Sequence, residues 1–264
     1  MVVCWHVVHF PDFTTQQWVL GMITAVFIGF SKTGIPGAGV LVVPLMATAF
    51  GGRLSVGALL PILIAGDIFA MLWYRKSGKL DQVWRLAPWV IAGMLAGAVL
   101  LWFLGEQTGK DKLNPIIGVL VLGMLGLNLA RRWYGDKITP HSKAGVGVCG
   151  TFAGFSTTIS NAAGPIMAIY MQAMGMDKEK LLGTSAWYFF IFNLIKVPIY
   201  VVIYLLAPQN PIWTAHTLLF DLLALPAVAI GAYVGRWLVP RMNQKAFDVL
   251  VLVLAAVAAV KLIV

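Results

Sequence analysis

Lys32, Asp67, Lys196 and Asp221 stand inside stretches of the chain that are otherwise apolar. An ionisable side chain is costly in hydrocarbon, so one kept there is a functional candidate by default. Lys32 lies within a segment that occurs twice. Residues 27–39 read FIGFSKTGIPGAG, and residues 152–164, 125 positions later, read FAGFSTTISNAAG. The matches are Phe27/Phe152, Gly29/Gly154, Phe30/Phe155, Ser31/Ser156, Thr33/Thr158, Ala38/Ala163 and Gly39/Gly164. Both copies are Gly-, Ser- and Thr-rich breaks in apolar surroundings, and paired interruptions of this kind point to the binding site of a membrane transporter.

The chemistry such breaks offer is anion binding. Unwound backbone within a bilayer is tolerated only where protein buries it or it lines a cavity. A new helical arm is expected to start near Gly37 and another near Ala162, each presenting free N–H groups and a positive dipole end. Ser31, Lys32, Thr33, Gly34 and Gly37 in the first break, and Ser156, Thr157, Thr158, Ser160 and Asn161 in the second, are the candidate contacts. Their hydroxyl and amide donors suit sulfonate, sulfite or carboxylate oxygens. A purely structural role is the competing reading, in which these residues cap the arms and Ser160 or Asn161 is an N-cap. Lys196 is central in its apolar stretch, and Asn193 stands near the place in the second half equivalent to Asp67. Lys32, Lys196 and an ionised Asp67 leave a net +1, suited to a monoanion; protonating Asp67 suits a dianion. Asp67 is therefore the candidate for proton coupling, unless it is a fixed counter-ion of Lys32 or Lys196. Asp221, two to three turns into its helix, is within reach of the interface.

These residues need a membrane fold to position them. Of the 264 residues, 60% are hydrophobic and 11% charged, with a mean hydropathy of +0.86. Soluble domains carry about 25% charged residues. Six stretches, 55–74, 83–104, 114–130, 181–206, 212–238 and 246–264, are long enough to cross a hydrocarbon core of about 30 Å. Trp73, Trp84, Trp102, Trp133, Trp213 and Trp237 lie near their ends, as an interfacial belt requires. The two broken segments, 18–50 and 145–174, either cross once or return as hairpins. Hairpins put Arg75, Lys76, Lys79, Arg85, Arg131, Arg132, Lys137, Lys143, Lys178, Lys180, Arg236, Arg241 and Lys245 inside, and only Arg53, Lys110, Lys112 and Lys261 outside, a split of 13 to 4. Single crossings give 9 to 8. The hairpin arrangement is expected, with both termini outside.

The fold class is then an all-α polytopic membrane protein with an inverted-topology repeat. Each half, 1–131 and 132–264, holds a broken helical hairpin and three transmembrane helices. Pro88, Gly93 and Gly97 recur as Pro226, Gly231 and Gly235, which extends the repeat into the third helix of each half.

Other chemistry finds little support. His6, His9, His141 and His216 form no metal-binding pattern, and His6 and His9 beside Cys4 read as a solvated terminus. No metal, cofactor or ATP motif is present, and no histidine within the apolar spans could activate Ser31 or Ser156, so an enzyme is not expected. Cys4 and Cys149 cannot form a disulfide framework; Cys149 reads as a small hydrophobe. The net charge of +9 is explained by loops beside the spans and by anionic membrane lipid, with no nucleic acid partner.

The stretches GFSKTGIPGAGVLVVPLMA at Gly29, AGDIFAMLWYRKSG at Ala65, FAGFSTTISNAAGPIMAIYM at Phe152 and GTSAWYFFIFNLIKVPIY at Gly183 resemble the TauE/SafE sulfite exporter family over nearly the whole chain. The resemblance implies an inner-membrane permease for sulfite, organosulfonates or related small anions. It also implies that Lys32, Pro36, Gly39, Asp67, Ser156, Asn161 and Lys196 line or shape the pathway. One departure stands out: family members often carry adjacent glycines in each break, whereas these breaks read GIPGAG and ISNAAGP. Rival readings are a passive anion channel of the same architecture and a carrier of small carboxylates.

Overall fold

A computed structural model describes residues 11–34, 38–106, 112–134, 142–238, 241 and 243–264. Among them there is no strand. The helices are α1 (Thr15–Gly34), α2 (Val42–Phe50, preceded by a 3-10 turn at Ala38–Leu41), α3 (Gly52–Tyr74), α4 (Leu80–Glu106), α5 (Leu113–Tyr134), α6 (Lys143–Ser160), α7 (Gly164–Ala173), α8 (Lys178–Leu206), α9 (Ala215–Leu238) and α10 (Gln244–Ile263). Five segments are long and apolar enough to cross a membrane: Gly52–Ser77, Leu80–Leu104, Leu113–Ala130, Lys178–Leu206 and Ala215–Leu238. The sixth expected stretch, 246–264, falls in α10.

The surface shows what solvates these helices. Val99, Leu205, Leu222 and Val257 each expose more than 60% of their surface, on α4, α8, α9 and α10. Water would oppose so continuous an apolar exterior, and lipid would not. Trp84, Trp133 and Trp237, all largely exposed, mark the helix ends. The protein is an all-α, multi-pass membrane protein.

Both broken segments fold as hairpins. Phe13, just before α1, packs its ring 5.1 Å from that of Phe50 at the end of α2, so the chain returns to the end where it entered. Phe220 of α9 joins this cluster, 5.3 Å from Phe50, 5.5 Å from Trp18 and 6.1 Å from Phe13. In the second segment α7 packs back on α6. Tyr170 of α7 donates to Gln82 at the start of α4, the end of α4 beside which α6 begins.

Helix-to-helix contacts rely on glycine at the points of closest approach. α1 lies on α9 and α4 on α6. A Cβ at Gly29 would overlap the backbone of Val228 and Ala232, and one at Gly154 would overlap Val90 and Met94. Gly231 against Val26 and Gly93 against Thr151 are equally tight. Without a hydrophobic drive between helices in lipid, such backbone approach supplies the packing attraction. Tyrosines tie the helices to the breaks. Tyr74 of α3 donates to the Thr33 carbonyl at 2.7 Å, and Tyr200 of α8 donates to the Thr158 carbonyl at 2.9 Å.

The two ends of the bundle are pinned by different loops. At the Phe50 end, Arg53 donates to the carbonyls of Asn210 and Leu101, each at 2.5 Å. At the other end, Ser77 donates to Glu179, the Lys79 amide to Thr184, and the Trp187 indole to the Arg75 carbonyl. Arg75, Lys76, Lys79, Lys143, Lys178, Lys180 and Arg236 all belong to that second end.

Candidate functional site

The breaks end α1 and α6 in the interior and leave their last residues beside α3 and α8. α6 stops because Asn161 adopts a left-handed conformation at φ 58°. Glycine is the usual residue there, and asparagine is the side chain that tolerates it best. This explains how the second break turns without a glycine at that position. It also corrects one expectation. Ser160 is the last residue of α6 and Asn161 its C-cap, so neither is an N-cap.

The next arm, α7, begins at Gly164 after Ala163, and no side chain caps it. Likewise no side chain caps α2, which follows Leu41. The first N–H groups of α7 therefore have no side-chain partner, whereas α2 runs straight on from the 3-10 turn with Leu41 already helical.

Two lysines meet the breaks from different elements. Lys32, in the last turn of α1, pairs with Asp67 of α3 at 2.6 Å. The other Asp67 oxygen accepts from the Asn193 amide of α8 at 2.5 Å. Lys32 also lies over the Phe189 ring, 4.0 Å from its centroid, a cation–π contact. Lys196 of α8 is fully buried and donates to Asn161 Oδ1 at 2.5 Å and to the Thr157 carbonyl and hydroxyl, each at 3.2 Å. Asn161 in turn donates to the Val56 carbonyl of α3 at 3.1 Å. Lys196 thus has acceptors but no carboxylate partner among the described residues. Lys32 and Asp67 pair with each other, and Lys196 is held by neutral acceptors alone.

Beside Lys32 lies a cavity of about 60 Å³, room for a few waters or a small polyatomic ion. Lys196 does not line it and stands behind Thr157 and Asn161, which do. Ser31, Lys32, Gly39, Asp67, Thr157, Asn161 and Asn193 line it, as do Ala162 and Gly164 at the start of α7. Along α8 the lining runs from Asn193 back to Leu182, eleven residues or about 16 Å at the helical rise, towards the Ser77 end. At the Phe50 end, no residue of the aromatic cluster lines the cavity.

Several expected contacts are turned away. Thr33 donates to the carbonyls of Gly29 and Ala232, Thr158 to Gly154, and Ser160 to Ser156. Ser156 donates to the Ala162 carbonyl across the turn. These side chains satisfy backbone groups at the breaks and do not line the cavity. Gly34 is buried at the end of α1. Pro36 and Gly37 lie outside the described residues, as do Cys4, His6, His9 and His141.

Sequence reasoning missed Phe189 and Ser185, which line the cavity. They share one α8 face with Asn193, four residues apart each time, a signal that the uniformly apolar stretch 181–206 masked. Asp221 departs from expectation too. It is 3% exposed and does not reach an interface.

Searches of curated proteins and of solved structures gave no match. Residues 21–262, nearly the whole chain, match the family model described as Sulfite exporter TauE/SafE. Multiple apolar helices around a polar cavity that Lys32 lines are what a permease of that description needs, and the chain belongs to the sulfite exporter TauE/SafE family.

Proposed function

We propose that the protein is a secondary carrier that moves a small sulfur-containing anion, such as sulfite or an organosulfonate, across the cytoplasmic membrane by alternating access. As a member of a transporter family it is a permease and not an enzyme. The observation that carries the substrate class is the cavity beside Lys32, walled by the uncapped start of α7 and by Thr157 and Asn161, which hold Lys196. An anion entering it would meet the Lys32 ammonium, the side-chain amides of Asn161 and Asn193, and backbone N–H groups of α7.

The site residues in this reading are Ser31, Lys32, Gly39, Thr157, Asn161, Asn193 and Lys196, with Asp67 as the proton-coupling group. Asp67 holds Lys32 in the arrangement described above. Protonating it would release Lys32 to the substrate and raise the charge of the cluster by one. That would link the anion to the proton gradient.

The two halves are proposed to be an inverted-topology repeat. In support, Gly29 and Gly154 serve the same kind of contact, each against the third helix of the other half. Tyr74 and Tyr200 bind the carbonyls of Thr33 and Thr158, which are themselves equivalent positions. Asp67 and Asn193, the corresponding polar residues, bond to each other. The basic end is assigned to the cytoplasm, so the cavity is reached from inside and both termini lie outside.

Uptake of labelled sulfite, a C2 sulfonate and acetate into proteoliposomes tests the proposal, for wild type and Lys32→Ala, with and without a proton gradient. Saturable uptake of a sulfur anion, lost in Lys32→Ala and driven uphill by the gradient, is expected. Uptake unaltered in Lys32→Ala would remove the anion site from the first break. Acetate preferred over both sulfur anions would move the substrate class to carboxylates.

A further inference from the structure

Asp221 is a buried carboxyl that the anion site does not use. It lies in the second turn of α9, 3% exposed, and neither of its oxygens has a hydrogen-bond partner among the described residues. α9 packs against α1 and α3. The other charged or titratable side chains of α1, α3 and α9 are Lys32, Arg53, Asp67, Tyr74, His216, Tyr233 and Arg236. Tyr233 packs its ring on Phe69 and Trp73. Lys32 pairs with Asp67, and Arg53 donates to two carbonyls. Tyr74 donates to Thr33, Arg236 lies over the Trp73 ring, and the His216 ring is 6.4 Å from that of Phe13. None is paired with Asp221.

A carboxylate enclosed without a donor or counter-charge is far more costly than the neutral acid. With the helices as they stand, Asp221 therefore holds a proton. A metal cation is a poorer occupant, since it needs several oxygen ligands. The hydroxyl one turn earlier, Thr217, is already engaged with Thr214. The neighbouring residue, Phe220, is the hub of the aromatic cluster at the Phe50 end, and its ring fills the space over Gly21 of α1. Water that could solvate an ionised Asp221 enters only if α9 parts from α1 and α3 at that end. We propose that Asp221 is a proton-binding site separate from Asp67, protonated when the aromatic cluster is closed and ionised when the Phe50 end opens to water.

The sign follows from linkage. Protonation favours the closed Phe50 end, so raising the pH on that side favours opening, by up to about tenfold per pH unit. The test places a cysteine at Thr24, a fully buried position of α1, in a Cys4→Ser, Cys149→Ser background. Its labelling by a membrane-impermeant maleimide is followed in intact cells from pH 6 to pH 9. Rates are divided by those of the same chain carrying Asp221→Asn, which cancels the reagent's own pH dependence. The ratio is expected to rise steeply with pH, because the asparagine variant stays closed. A ratio independent of pH would overturn the proposal, as would a rise that requires sodium. Should Asp221→Asn fail to yield folded protein by size exclusion, Asp221→Glu replaces it; a displaced pH profile is then expected, and one identical to wild type overturns the proposal. No transported anion is needed, so the outcome is independent of the anion reading.

Discussion

Asn161 carries more of the site than any other single residue. Its left-handed backbone ends α6, its carbonyl oxygen holds Lys196, and its amide donates to Val56. The backbone and side-chain roles separate by substitution. Asn161→Gly keeps the turn unstrained, whereas Asn161→Ala must adopt φ 58° with a Cβ, at a cost of roughly 1–2 kcal/mol. Thermal unfolding in detergent should therefore rank Ala below Gly, while both lose anion affinity because Lys196 loses its shortest partner. Equal stability of the two would show that the turn relaxes on substitution. Asp67 is the other residue with divided duties. Removing its charge leaves Lys32 buried without a counter-ion, so Asp67→Ala should destabilise by about 3–5 kcal/mol, the cost typical of a broken buried pair. Asp67→Asn is expected to abolish the pH dependence of anion uptake; uptake that stays as pH-dependent as wild type would exclude the proton role.

At the scale of elements, the helices are placed by glycine contacts and the breaks by tyrosine bonds. Gly29→Val and Gly154→Val would each force side-chain atoms into the backbone of an opposing helix. Neither variant should give monodisperse folded protein. Gly123 of α5 is the control, because a Cβ there meets nothing within 4 Å. Gly123→Ala should be neutral or stabilising by about 0.5–1 kcal/mol, from helix propensity alone. The matching bonds of Tyr74 and Tyr200 allow a paired test of the repeat. Tyr74→Phe and Tyr200→Phe should each cost about 0.5–1.5 kcal/mol, the net worth of one hydrogen bond. A large asymmetry in thermal unfolding would argue that the halves do not serve equivalent roles.

For the whole molecule, the basic residues and the hairpins together make a topological prediction. Single cysteines at Lys178 and Ser77 should be labelled only from the cytoplasmic side, and one at Asn210 only from outside. Labelling of all three from the same side would contradict the bundle ends seen here, where Arg53 joins Asn210 and Ser77 joins Glu179. The exposed leucines and valines of α4, α8, α9 and α10 form a shell that lipid solvates, so their substitution by other apolar residues should leave uptake unchanged.

The sequence by itself determined the solvent and the architecture. Long apolar runs admit only helices in lipid, because every backbone group must bond within its own segment. The loop charges then select hairpins over single crossings, and the duplicated break marks where the helices stop. It also picked out Lys32, Asp67, Asn161, Asn193 and Lys196, since polar groups in apolar surroundings are conspicuous. Partnership was left to the tertiary structure. Whether Thr33 and Thr158 face a ligand or a carbonyl depends on which helix lies opposite, and here the carbonyls take them. That Asp67 selects Lys32 over Lys196, that Phe189 lies over Lys32, and that Asp221 is enclosed rather than at an interface are equally matters of neighbours. Spacing along a helix fixes which face a residue occupies, and only the packed bundle fixes what that face meets.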